Sequence, residues 1–316
     1  MELEQIVEMR KQAAMRGGGA LSSFGGDNAA GPPLPLISYD GRVFFGDKAP
    51  ALNEQRVNVS APVYKSEKDT LGLSLAAGDM HIGDDLHLDS GFAVPTDLYR
   101  VELGAQYFHQ LEGKKTWGLR GSLGYVGDKL SKSSSDMSFS LAGTYGYPSD
   151  SQKGYWIFLV FLSNNSPLGN YVPIPGFLYI HRTEHFSGMF GLPLITMQWT
   201  PEEPWMFSFS AFGPTIQAEA ARGHLDGAQF FAGYSWAQQM FIPSARTVDK
   251  DRLTILEHKA MLGARHVFAE SLLGELQVGR SFQRRINLGE GFLNHDRGTL
   301  DIHDDWYASW TMKYAF

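Results

Sequence analysis

From about residue 36 to the end of the chain, apolar and polar side chains alternate with a period of two, in segments of about ten residues. Val57, Val59, Ala61 and Val63 alternate with Asn58 and Ser60, and Leu71, Leu73, Leu75 and Ala77 with Gly72 and Ser74. Tyr99, Val101, Leu103, Ala105 and Tyr107 oppose Arg100, Glu102, Gly104 and Gln106. Trp117, Leu119, Leu123 and Tyr125 oppose Arg120, Ser122 and Gly124, and Met137, Phe139, Leu141 and Tyr145 oppose Ser138, Ser140 and Thr144. Successive side chains on a strand point to opposite faces, so each segment has one apolar face and one small or polar face. Further segments fall at 155–162, 175–183, 189–199, 205–211, 228–236, 252–268 and 271–285. The chain closes on Trp306, Ala308, Trp310, Met312, Tyr314 and Phe316, one parity of an eleven-residue run.

Residues 65–69, 111–115 and 148–154 read as short turns; 78–96, 127–135, 164–175, 243–252 and 288–302 read as longer loops. The segment at 155–162 is apolar on both parities, so Trp156, Phe158 and Val160, or their neighbours, would face a barrel lumen. There they require a plug, an apolar ligand, a bulge or a subunit contact. About thirteen segments are counted, whereas a single-chain bacterial membrane barrel uses an even number. Twelve results if 175–183 is loop, fourteen if 36–45 is also a strand.

The last strand, with alternating aromatics and a final Phe, resembles the closing strand of Gram-negative outer-membrane β-barrels. The resemblance implies an all-β, antiparallel transmembrane barrel of about twelve strands, with Trp310, Met312, Tyr314 and Phe316 read by the barrel-insertion machinery. It also implies a bacterial outer-membrane location, with lipid and lipopolysaccharide around the barrel. The same alternation would serve a soluble β-sandwich. Strand length and the recurrent Trp or Tyr endings favour a barrel with aromatic belts.

Residues 1–16 read as a short helix, acidic in its first turn, basic towards its end and stopped by Gly17, Gly18 and Gly19. Leu3, Ile6, Val7, Met9 and Ala13 are its plug or partner-binding candidates. Residues 17–35, rich in Gly, Ala, Ser and Pro, read as a flexible linker, and 36–316 as the barrel. The layout is similar to secretion barrels that hold an N-terminal helix among their strands. A frayed tail, or the end of a longer coiled coil, fits the same helix pattern.

Composition changes this picture little. The 316 residues are 43% hydrophobic and 19% charged, with mean hydropathy of -0.22. No run approaches the ~18 apolar residues of a spanning helix, yet barrels escape such averages because only alternate residues face lipid. A net charge of -7 and the lack of a basic cluster argue against nucleic acid. With no Cys, disulfides and thiolate metal sites are excluded. Glu2, Glu4 and Glu8 stand where a signal peptide has basic residues, so an exported barrel would be a mature or truncated chain behind a start Met.

If the aromatic parity faces lipid, the lumen is lined by Arg100, Glu102, Arg120, Glu257, Lys259, Arg265 and Glu275. Mixed charge there either cross-pairs to fill the core or lines an aqueous path. His181, Glu184 and His185 match the H-x-x-E-H zinc pattern, but in a strand-and-turn context rather than the helix that chemistry needs. Asp84, Asp85 and Asp89 form an acidic loop with weak potential for a hard cation, without EF-hand spacing. His109, His258 and His266 lie on strands with no serine at a suitable spacing, and the His-x-Ser signature of outer-membrane phospholipases is missing. No catalytic residue, metal or cofactor is assigned. The expected function is a channel or translocation barrel for a solute or extended polypeptide, gated by the N-terminal helix. The alternatives are a non-conducting barrel that docks a periplasmic or envelope partner, and a membrane-embedded hydrolase.

Overall fold

A computed structural model of the chain describes residues 35–46, 52–83, 85–130, 134–149, 154–166, 170–224, 227–269, 271–291 and 297–316. The expected N-terminal helix and all but the last residue of the linker lie outside them. The strands in chain order are β1 (Leu36–Phe44), β2 (Leu52–Lys65), β3 (Asp69–Ile82), β4 (Asp97–Gln110), β5 (Thr116–Gly127) and β6 (Met137–Pro148). Then come β7 (Gly154–Ser163), β8 (Ile174–Arg182), β9 (Phe186–Leu192), β10 (Leu194–Trp199), β11 (Trp205–Phe212) and β12 (Thr215–Gly223). The last five are β13 (Ala228–Phe241), β14 (Arg252–Ala269), β15 (Leu272–Gly289), β16 (Thr299–Ile302) and β17 (Asp305–Ala315). All belong to one sheet of 17 strands. The short β16 pairs with the upper part of β15, whose lower part pairs with β17. β17 in turn pairs with β1, from Leu36↔Ala315 to Phe44↔Tyr307. The sheet therefore closes on itself as an antiparallel barrel of sixteen staves, with β16 as an accessory.

Sixteen replaces the expected twelve or fourteen, and the difference has three sources. Leu36–Phe44 is a stave, and so is Ile174–Arg182, which the count of twelve had treated as loop. The run 189–199 splits at Pro193 into two staves, because the reversal carries no polar turn residue to mark it. β12 escaped notice because Ile216, Ala218, Ala220 and Arg222 give its outer face no aromatic rhythm.

The alternation sorts faces throughout. Outside, Leu103 is 65% exposed, Leu276 68% and Phe230 71%, which in water would be a large apolar liability. Trp117, Trp199 and Trp205 stand at strand ends beside short turns. On β7, Trp156, Phe158 and Val160 face outward, while Tyr155, Ile157, Leu159 and Phe161 take the inner positions.

The short turns after β2, β4, β6, β8, β10, β12 and β14 share one end of the barrel with Leu36 and Phe316. The longer connections after β1, β3, β5, β7, β13 and β15 share the other. Stave height is uneven: β2, β3, β4 and β13 have 14 residues and β14 and β15 have 18. β9, β10 and β11 have only 7, 6 and 8.

Candidate functional site

The inward face of the tall staves carries the charge. Arg42 on β1 donates to Glu54 on β2 at 3.0 Å and to Glu257 on β14. Lys259 donates to Glu257 at 3.1 Å, and Ser281 reaches its other oxygen at 3.1 Å. Arg56 donates to Glu54 at 2.6 Å, and Gln239 crosses from β13 to the same carboxylate at 3.1 Å. Each carboxylate oxygen of Glu257 and Glu54 is thus met by a donor, as a buried ion requires. A second group forms nearer the short-turn end, where Arg265 donates to Glu219 at 2.6 Å and Gln229 at 2.8 Å and lies 3.7 Å from Glu275. Arg100 donates to Glu102 at 2.6 Å on β4.

The seven residues expected in the lumen therefore fall into three groups on the inner wall. Arg100, Glu102, Arg120, Lys259 and Glu275 line an internal cavity, while Glu257 and Arg265 are buried beside it. Sequence reading missed Arg42, Glu54, Arg56 and Glu219, which complete the first two groups. Arg42 continues the inward parity of Ser38 and Asp40, and Glu54 and Arg56 continue that of Asn58 and Ser60. Extending the polar parity of β1 and β2 would have found them. A bulge also contributes: between Leu256 and His258 the register shifts, and Gln283 takes φ 49. The extra residue re-aims β15, so that Arg284, Ile286 and Leu288 point inward above Ser281.

The cavity has a volume of about 450 Å³. From β7 to β11 its lining is uncharged and largely apolar: Leu159, Phe161, Ile174, Leu178, Leu194 and Phe212. The lining descends to Leu36, at the short-turn end.

Towards the loop end the tall staves draw together over the lumen. Phe44, Leu52, Met80, Ile82, Leu98, Val126, Phe241, Leu253, Ile255, Ile286 and Leu288 form one buried apolar cluster. Leu88 and Val94, from the β3–β4 connection, close over it. In a circuit of sixteen staves, β5 and β13 are eight apart and so stand opposite. Yet Gly127, the last residue of β5, makes a parallel bridge with Ile242, the residue after β13. The Ile242 amide donates to Val126 O at 2.7 Å. A Cβ at position 127 would collide with the Ile242 carbonyl, so this approach needs glycine. Beyond it, Asp128 accepts from the Ser244 amide at 2.6 Å and its hydroxyl at 2.7 Å, and Arg246 donates to Asp136 at 2.6 Å. These contacts form a latch across the mouth.

The remaining candidates are dispersed. His181 is the penultimate residue of β8, while Glu184 and His185 sit in the exposed turn before β9, the strand-and-turn setting expected. Asp89 accepts from the Thr299 amide at 2.8 Å, tying two loops; Asp85 is exposed and Asp84 lies outside the described residues. Among the described residues no group of three or more His, Cys, Asp or Glu is placed to hold a metal. At the short-turn rim, Asp69 accepts from Ser66 at 3.2 Å and lies 2.7 Å from His109 Nδ1, so the hydroxyl is directed to the carboxylate. Nucleophilic catalysis instead needs the hydroxyl on the imidazole. His258 meets the Tyr234 hydroxyl at 2.7 Å and stacks on Trp236. Leu3, Ile6, Val7, Met9 and Ala13 lie outside the described residues. Trp310, Met312, Tyr314 and Phe316 form the outer row of the last stave, with Trp310 lying over Gly41 of β1.

No protein-family model matches the chain, and no curated protein matches it. Among solved structures it is similar to the toluene transporter TodX of P. putida, at 10% identity over 96% of this chain and 94% of that one, with a TM-score of 0.35. It is similar to the COG4313 outer membrane channel from Pseudomonas putida F1, at 11% identity over 90% and 95%, TM-score 0.33. It is also similar to the translocator domain of the autotransporter NalP from Neisseria meningitidis, at 12% identity over 99% and 96%, TM-score 0.28.

Proposed function

We propose that the chain is an outer-membrane channel, and that the structure describes its closed state. One contrast carries the reading: an apolar outer face around an inner wall of paired charges, hydroxyls and a cavity. Lipid solvates the first surface and a passing solute or extended polypeptide the second. Arg100, Glu102, Arg120, Glu257, Lys259, Arg265 and Glu275 are the lumen residues that set selectivity. Trp310, Met312, Tyr314 and Phe316 are the signal for the insertion machinery, and lipopolysaccharide is a neighbour of the outer face. Residues 1–16 act as a gate from the short-turn side, through Leu3, Ile6, Val7, Met9 and Ala13. What supports that placement is the position of Leu36, which opens β1 at that end and lines the cavity.

Single-channel conductance in planar bilayers tests this, comparing the full chain with one that starts at Leu34. The expected outcome is a closed full chain whose truncated form opens. If both insert and neither conducts, the channel reading fails. A second reading would then stand, favoured by the packed loop end of the tall staves: a non-conducting barrel that docks a periplasmic or envelope partner through residues 1–31. Deleting those residues would abolish that complex.

A further inference from the structure

The boundary between the tall and the low staves falls at β12 and β13. Their ladder ends with Ile216 opposite Trp236, and β13 runs on past β12 to Phe241. There Gln238 and Met240 keep the outward parity of Phe230 and Trp236. Phe230 is 71% exposed, yet Gln238 and Met240 are only 4% and 5% exposed. The reason is that β13 leans across the mouth to the Gly127–Ile242 bridge, which turns its outer face in over the low staves. The β7–β8 connection covers that face: Asn165 donates to Met240 O at 3.4 Å, and Ser166 beside it is buried. Asn164 pins the connection, donating to Met137 O at 2.7 Å and accepting from the Phe139 amide at 2.8 Å. Gln238, Met240, Asn165 and Ser166 all line the inner chamber. Beside them lies the inward row Leu194, Phe212 and Thr215, which crosses β10 to β12 and lines it too.

This corner holds polar groups with nothing to bond. Among the described residues neither amide atom of Gln238 has a hydrogen-bond partner, and neither does Asn165 Oδ1 or the Thr215 hydroxyl. A glutamine amide offers two N–H donors and a carbonyl acceptor. Buried polar groups are normally satisfied, so each exception calls for a physical reason. The last torsion of a glutamine is broad and roughly two-fold, so the amide can turn either edge to the chamber. Charge gives no competing signal. Over the whole described lining, five cationic side chains stand against five carboxylates, and none of the ten comes from β6 to β11 or from residues 163–166. The corner is therefore uncharged, apolar on the side of Leu194 and Phe212 and amide-like on the side of Gln238. A chamber of about 450 Å³ suits a small organic ligand.

We propose that this corner binds an uncharged small molecule with an apolar body and one amide-type head, a group carrying an N–H donor beside a carbonyl acceptor. The head pairs edge to edge with the Gln238 amide, which donates to its carbonyl and accepts from its N–H. Asn165 Oδ1 and the Thr215 hydroxyl are the acceptors for a second N–H. The body lies along Leu194 and Phe212 towards Phe161 and Ile174. This rests on the channel reading and deepens it by naming the class of solute the lumen selects.

Isothermal titration of the full chain in lipid nanodiscs tests it, with benzamide, acetophenone and benzoate as probes and empty nanodiscs as the reference for partition. Acetophenone has the shape of benzamide without its N–H donors, and benzoate replaces the head by a charge. Benzamide should bind saturably at one site, and the other two at least about tenfold more weakly, the scale of a buried hydrogen bond left unmade. Gln238→Leu should bring benzamide down to the level of acetophenone, and Phe212→Ala should weaken both together. Benzamide heats equal to those of empty discs, or acetophenone or benzoate binding as tightly as benzamide, would overturn the proposal. This head-group series on the unaltered chain decides even if a variant fails to insert. A barrel that conducts but ignores benzamide refutes the chamber assignment alone. One that binds benzamide and never conducts refutes the channel reading alone.

Discussion

The tall half of the barrel, from β13 through β17 to β5, and the low half, from β7 to β12, are cut from the same alternating pattern but have opposite interiors. The tall half carries the Arg42 group and, above it, the apolar seal, while the Arg265 group straddles the boundary to Glu219 on β12. In the low half the inner face is mostly apolar down to the short-turn rim, where Tyr155, Ile157 and Leu178 pack with Met189. The difference teaches that wall height decides what an inward position can be. Staves of 14 to 18 residues are long enough for a polar storey and a dry storey. In the low half, staves of 6 to 10 residues carry one.

The contrast breaks most sharply at the buried charges. Arg42→Ala should cost about 3–5 kcal/mol in urea unfolding from bilayers, because Glu257 and Glu54 lose a shared cation in a dry site. Replacing Arg42 by Met together with Glu257 by Leu should cost less than Arg42→Ala alone, since the most buried carboxylate then leaves with its partner, and only Lys259 and Glu54 lose a contact. On the low wall, Leu178→Ala removes a fully buried side chain with no charge near it. A loss of about 2–4 kcal/mol in the same assay, with no recovery by any charge swap, would confirm that the two halves are held differently. Between these extremes lies the latch. Asp128→Ala strands the Ser244 amide, and at about 1–2 kcal/mol the open probability in planar bilayers should rise roughly tenfold. An unchanged open probability would show that the apolar seal alone keeps the mouth shut. The smallest effect belongs to Ser122→Ala, which loses a 2.7 Å bond to Ser140 on the chamber wall. About 0.5–1 kcal/mol is expected there by thermal unfolding.

Much of this contrast was legible in the chain, and its limits follow from geometry. Parity assigned Arg100, Glu102, Arg120, Lys259 and Glu275 to the inner wall because a period of two is a local property. Parity is silent about partners. Arg42 finds Glu257 at a sequence separation of 215, across staves that are not neighbours, and nothing local marks either for the other. β12 was illegible because Ala218 and Ala220 carry no aromatic signal, and the β9–β10 boundary because Pro193 is its only mark. The latch was hidden for a further reason. Asp128, Ser244 and Arg246 read as ordinary loop residues until closure of the sheet sets their loops face to face.

The bridge from Gly127 to Ile242 also has a mechanical meaning. A hoop of hydrogen-bonded staves can pass between round and oval without losing a ladder bond, since its perimeter is unchanged. A tie between opposite staves fixes the oval. In the channel proposed above, stretching the surrounding bilayer would pull the hoop towards round and load that tie directly. Patch recordings at stepped suction should show openings that grow with tension, and the response should flatten when Gly127→Val has already severed the tie.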